Sequence, residues 1–306
     1  MSALDAQAGA PVVQNRESSH DEGARKSGRS RMLFRSAVKN PVLTISILWI
    51  LAVVALAVLA PVLPLDDPAE FDPFVREQGP SISHPFGTDA VGRDVFARVV
   101  WGSRVSLTVG AVSVAGGLLI GGLIGLCAGY FRGRVEAALM ACTDVMLAIP
   151  ALILVVFVVA LRGQSLSNVL LAVLLVSIPA IARVARAQTL VAAQRDYVNA
   201  ARAQGAGNVP IMRRDILPNV VPAMVSFSFV AVAIVIAAEG GLAFVGLSVP
   251  PPAITWGGLI NEGRADLDVA PQVALMPAMV MFLTLLAFNL VGDALRRLFD
   301  VKETAL

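Results

Sequence analysis

The sequence predicts an all-α polytopic membrane protein with six transmembrane helices and both termini in the cytoplasm. Three observations carry this. Of 306 residues, 57% are hydrophobic and only 15% charged, where soluble domains carry about a quarter charged; mean hydropathy is +0.75. Six apolar runs, each long enough to cross a bilayer, alternate with polar segments. With the N-terminus inside, eighteen of the 24 Lys and Arg fall on inner segments and six on outer ones, as the positive-inside rule requires.

Residues 1–40 are polar and basic, with Arg16, Arg25, Lys26, Arg29, Arg31, Arg35 and Lys39. Such a stretch has little to bury and reads as a largely disordered cytoplasmic tail that orients the first span against lipid headgroups. The charged region and the apolar run behind it are both too long for a cleavable signal peptide. Pro41–Leu65 is uncharged and forms span one. Residues 66–104 form an external loop. In it Val95, Phe96, Val99 and Val100 share one side of a short interfacial helix, and Trp101 suits the headgroup layer.

Span two, Val105–Phe131, is dense in glycine, which lets helices approach closely where lipid supplies no hydrophobic drive between them. Span three, Val135–Leu161, holds Asp144 and Pro150. Pro150 should kink it. A carboxylate at membrane depth faces protein or water, so Asp144 either pairs with Arg183 or Arg186 or lines a solute path. Span four is Leu166–Ala182. Span five, Pro222–Leu247, carries Glu239 before Gly240 and Gly241, which suggests a loosened helix and the same two readings for the carboxylate. Pro250, Pro251 and Pro252 open an external loop. Span six is Pro271–Val291, and residues 296–306 return to the cytoplasm.

Several chemistries find no support. Cys127 and Cys142 lie in apolar stretches, His20 and His84 are far apart, and no cluster has metal-ligand spacing. The sequence has no GxxxxGK[ST], HExxH or GxSxG pattern, so any ATP that drives the protein binds another chain. An ion-driven secondary transporter would use a midplane pair such as Asp144 and Glu239 and often inverted repeats, but no internal repeat is visible.

The longest polar interruption in the second half is Asp196–Asn219, DYVNAARAQGAGNVPIMRRDILPN. Arg202, Arg213 and Arg214 place it inside. Ala200, Ala201 and Gly205 are small and helically spaced. Gly205 should end one short helix, Pro210 should start the next, and Pro218 should mark the boundary before span five. Composition alone also allows an ordinary loop.

The run N-A-A-R-A-Q-G followed by I-L-P resembles the EAA loop of ABC importer permeases. Asn199 stands where that family usually has Glu, and Ile216 adjoins Leu217 where the family's apolar residue comes one position earlier. A second block, HPFGTD with GRDVF and RVSL between His84 and Leu107, resembles the permeases of oligopeptide, dipeptide and nickel importers. So do EGGLAFVGLSVPPP, TWGGLINEG and the closing AFNLVGDALRRLFD. The resemblance covers nearly everything from residue 41 onward. It implies a type I ABC importer permease in the bacterial inner membrane, most readily one for di- or oligopeptides, with nickel chelates, glutathione-like peptides and oligosaccharides as alternatives.

It also implies the partners: a second related permease, two cytoplasmic ABC ATPase subunits that hold ATP and Mg, and an extracytoplasmic solute-binding protein. Membrane lipid completes the surroundings, with no nucleic acid and no cofactor or metal in this chain. The residues 196–218 would be the coupling helix, with Tyr197, Asn199, Ala200, Ala201, Arg202, Gln204 and Gly205 docking on the ATPase. Leu217 and Pro218 would link that contact to span five. Asp144, Arg183, Arg186 and Glu239 remain candidates for the path or for buried ion pairs.

Overall fold

The computed structural model describes residues 40–303; the basic tail before them and residues 304–306 lie outside the described residues. The ten α-helices among the described residues are α1 (Pro41–Leu59), α2 (Val95–Phe131), α3 (Gly133–Ala148), α4 (Ala151–Arg162), α5 (Leu166–Ala192), α6 (Asp196–Ala203), α7 (Asn208–Ile211), α8 (Leu217–Phe244), α9 (Trp256–Gly263) and α10 (Gln272–Glu303). A π turn, Met212–Ile216, joins α7 to α8 without a break. Five helical stretches are long and apolar enough to cross a membrane, and the bent pair α3–α4 makes the sixth crossing when taken as one span.

Helix starts follow local chemistry. Asn40 caps α1 by accepting from the Val42 amide at 3.1 Å, with Pro41 at the first helical position. Asp94, Ser165 and Thr255 cap α2, α5 and α9 in the same way. The packing centre is the parallel pair α2–α5, whose contacts advance together from Ser113 and Leu170 to Gly129 and Thr189. Gly117, Gly121, Gly125 and Gly129, one turn apart, form a flat stripe on α2 against which α5 lies at backbone distance; a Cβ built on Gly125 would stand 2.3 Å from the Ala182 carbonyl oxygen. Helices α8 and α10 complete the bundle, and α1 lies outside against α2 and α10, where the Trp49 indole donates to Thr284 Oγ1 at 3.1 Å.

The outer end is closed by polar loops. Trp256, fully buried, donates from its indole to the Val99 carbonyl at 3.0 Å and seats α9 against α2. Arg98, also buried, donates to Asp89 at 2.9 Å and to Glu262 at 2.8 Å, while Arg93 bridges the same two carboxylates. Two guanidiniums thus tie the loop before α2 to α9. Arg98→Ala would leave the buried Asp89 carboxylate to Arg93 and to the Val91 and Arg93 amides, a loss of about 1.5–3 kcal/mol for charge-assisted hydrogen bonds removed from a still-compensated carboxylate. The expected result is a lower thermal midpoint and early proteolysis within residues 66–94; an unchanged midpoint would show that the network is solvated in the membrane.

Three expectations are corrected and one is refined. The external loop has no separate interfacial helix: residues 95–104 are the first turns of α2, because Asp94 caps there and nothing interrupts the helix afterwards. Pro150 does more than kink span three; α3 and α4 meet at 84°. Pro218 does fall in the first turn of α8, but no break precedes that helix, because the π turn runs straight into it. The helix at Glu239 is not loosened either: α8 is continuous to Phe244.

Candidate functional site

The inner segment is two short helices and a turn. α6 ends in a Schellman arrangement: the Gly205 amide donates to the Arg202 carbonyl and the Ala206 amide to the Ala201 carbonyl, each at 3.0 Å, with Gly205 at φ +82°. That φ is what requires glycine there. Pro210 lies in the first turn of α7, where its absent N–H costs no hydrogen bond.

Three apolar side chains fix the segment to the bundle. Val198, Ile211 and Ile216 have no exposed surface and join the core formed by α2, α5 and α8. Sequence reasoning noted Ile216 only for its place beside Leu217 and did not single out Val198 or Ile211, which lie in a mostly polar run. Polar ties add to the anchoring. Tyr130 at the inner end of α2 donates to Asn208 Oδ1 at 3.0 Å, and the Arg202 guanidinium sits 5.4 Å from the Tyr130 ring centre. Asn219 donates to the Tyr197 hydroxyl at 3.0 Å and to the Asp215 carbonyl at 2.6 Å.

The opposite face is open. Tyr197, Asn199, Ala200, Arg202, Gln204, Gly205, Leu217 and Pro218 are exposed, whereas Ala201 is half-buried under the helix. No atom approaches the position of a Cβ on Gly205 within 4 Å. Shallow cavities of about 380 and 260 Å³ flank α6, the first beside Asn199 and Arg202, the second beside Tyr197 and Asn219. A rigid, core-anchored handle with a small-residue face and recesses on both sides suits contact with another folded protein.

The charged residues of the spans separate into two sets. Arg183 donates to Asp144 Oδ1 at 2.7 Å, and Arg186 pairs with Glu136 rather than with Asp144. These four line a groove of about 480 Å³ between α3 and α5. Glu136 is new to the set; its spacing of eight residues from Asp144 puts both on one side of α3. The Asp144 and Arg183 side chains are 59% and 56% exposed. Asp144 lies roughly 16 Å along α3 from Gly133 at 1.5 Å per residue. A charged pair within a membrane span does not face lipid chains, so the groove opens to water or to another subunit.

Glu239 is elsewhere. It is fully buried near the outer end of α8, accepts from the Ser248 hydroxyl, and its second oxygen has no hydrogen-bond partner. It ties α8 to the turn before α9 and touches none of the groove residues.

A helical membrane core with a bent third span and a core-anchored helix–turn–helix on its inner face defines an ABC importer permease subunit of the type I kind. The chain belongs to the family of binding-protein-dependent transport system inner membrane components, whose family model matches residues 121–303. It is 40% identical over 273 residues to the glutathione transport system permease protein GsiD of Pectobacterium atrosepticum, covering 89% of this chain and 91% of the relative. The GsiD proteins of Shigella boydii and Shigella sonnei are each 41% identical over 256 residues, covering 83% of this chain and 84% of theirs. Among solved structures, an inward-facing MetNI methionine ABC transporter shares the fold at TM-score 0.55 and 18% identity, over 68% of this chain and 96% of that one. An amino acid ABC transporter follows at TM-score 0.52 and 15% identity, over 66% and 94%. The protein is accordingly a multi-pass inner-membrane permease and not itself an ATPase.

Proposed function

We propose that this permease imports short peptides, glutathione-like tripeptides included, in complex with a second related permease, two ATPase subunits that bind ATP and Mg, and a solute-binding protein. The observation that carries the reading is the inner helix–turn–helix, held by Val198, Ile211 and Ile216 and exposing Tyr197, Asn199, Ala200, Arg202, Gln204 and Gly205. Closure of the ATPase pair would push on this face. The continuous helix from α7 through Leu217 and Pro218 into α8 would carry the push into the membrane as a rigid-body motion.

The solute class rests on two supports. The GsiD relatives are named for glutathione transport. The groove carries both signs, Arg183 and Arg186 beside Asp144 and Glu136, and a free peptide carries a carboxylate and an ammonium group. We place the groove on the solute path and Glu239 off it, as a brace for the outer turn.

The test is uptake into proteoliposomes holding the chain with its co-purified subunits and binding protein. Labelled glutathione and tripeptides should accumulate with ATP and not without it. Uptake driven by an ion gradient alone would overturn the ABC coupling reading, and ATP-driven uptake of a nickel chelate or oligosaccharide in place of peptides would overturn the solute reading. Asp144→Asn with Arg183→Gln should lower peptide uptake about tenfold while binding-protein-stimulated ATP hydrolysis continues, the size of a modest coupling loss. Unchanged uptake would remove these residues from the path.

A further inference from the structure

The second large recess is on the outer side and shares no residue with the inner groove. It is a cavity of about 790 Å³ where the end of α1, the following turn, α2 and the turn before α9 meet, lined among others by Leu65, Asp66, Asp67, Trp101, Arg104 and Ile254. Its depth follows from helix length. α2 has 37 residues, or about 55 Å at 1.5 Å per residue, against a hydrocarbon core of roughly 30 Å. The inner end is fixed by Arg132 and Gly133, so the surplus projects outward. Trp101 and Arg104 therefore sit at the outer headgroup layer, where an indole is stable.

The charges in this cavity are not matched to one another. Arg104 forms no ion pair among the described residues; its guanidinium lies 5.1 Å from the Trp101 ring centre. Asp67 accepts from the Ala69 amide at 2.9 Å, and the Asp66 carboxylate lies 4.0 Å from the His84 ring nitrogen. One cation and two carboxylates thus share a half-apolar recess without neutralising each other. Next to it, Val58 and Val62 are 70% and 77% exposed, and the outward side of α1 is apolar along its length.

We propose that this cavity is a headgroup site for a phospholipid bearing both a phosphate and an ammonium group. Arg104 takes the phosphate as a charge-assisted hydrogen-bond donor, Asp66 and Asp67 take the ammonium, and the acyl chains lie along Val58, Val62 and the rest of the exposed α1 face. The site clamps α1, which packs loosely on the bundle, to the outer end of α2.

The test is native mass spectrometry of the full chain, purified with its subunits from nanodiscs of equal phosphatidylethanolamine and phosphatidylglycerol. The unmodified protein should retain phosphatidylethanolamine about fivefold over phosphatidylglycerol, the discrimination one headgroup charge provides at a membrane surface. Arg104→Gln should lose most bound lipid of either kind, Arg104→Lys should keep it, and Asp66→Asn with Asp67→Asn should reverse the preference. Equal retention of both lipids by the unmodified protein, or retention unchanged in Arg104→Gln and the double variant, overturns the proposal. Free phosphoethanolamine and a free tripeptide serve as competitors. Displacement of the lipid by either at equimolar concentration would show that the apolar α1 face adds nothing and would also overturn it.

Discussion

Ala200→Arg is expected to separate ATP hydrolysis from uptake. Ala200 is exposed on α6, between Tyr197 and Gln204 on the open side of the handle. A guanidinium there would fill the space that a docked ATPase needs, without touching the Val198, Ile211 and Ile216 anchors. Gly205→Pro reaches the same end by another route: proline fixes φ near −65°, and Gly205 holds +82°, so the turn between α6 and α7 must rearrange. Both variants should insert; Ala200→Arg should unfold at the parent temperature, and Gly205→Pro, which also loses the Gly205 amide bond to the Arg202 carbonyl, somewhat below it. Peptide uptake should fall roughly 10- to 100-fold, the range of a coupling free energy of about 1–3 kcal/mol, while ATP hydrolysis by the complex persists. Ala201→Arg is a poorer probe, because Ala201 is half-buried and packs on the core, so its loss of function would mix folding with docking. Full uptake in both Ala200→Arg and Gly205→Pro would remove α6 from the coupling contact.

The spans were legible because lipid makes a coarse and strict demand: about twenty apolar residues per crossing. Helix ends were not, because a helix does not stop where the membrane does. α2 starts ten residues before its apolar run and α5 continues ten residues past Ala182, both through residues whose charge marks water, not the end of a helix. Pro218 marks the first turn of α8 and yet no break in the helical backbone. Proline signals a boundary in an α-helix, but the π turn at Met212–Ile216 changes the register in which its ring must fit. At the inner segment, polarity revealed the exposed docking candidates. It hid the anchors, since single apolar residues such as Val198 and Ile211 form no periodic run. Glu136 was invisible until Arg186 chose it, and whether Arg183 or Arg186 would meet Asp144 is a matter of helix rotation that spacing alone does not set. The glycine density of span two did announce close packing, though not its partner.

That partner gives the other large effect expected. Gly125→Leu should abolish assembly of the permease core. A Cβ at this position would lie 2.3 Å from the Ala182 carbonyl oxygen, 2.6 Å from Ala185 Cβ and 2.7 Å from the Arg186 nitrogen. All three sit on or next to the α5 backbone, so no side-chain rotation relieves the overlap and the two helices must separate. Overpacking a well-packed core costs about 1–3 kcal/mol even when side chains can shift; here the backbone has to. Separation would also draw Arg183 and Arg186 away from Asp144 and Glu136, because α5 carries one side of both pairs. Little folded protein should reach the membrane, and what does should co-purify poorly with its partners. Gly122 on the same helix is the control. Its Cβ would meet the Met224 methyl at 2.4 Å, the free end of a flexible thioether that can turn aside, so Gly122→Ala should express and transport near the parent level. Similar behaviour of Gly125→Leu and Gly122→Ala would mean that α2 and α5 are not held at backbone distance in the membrane, and the inner groove would then need to be placed anew.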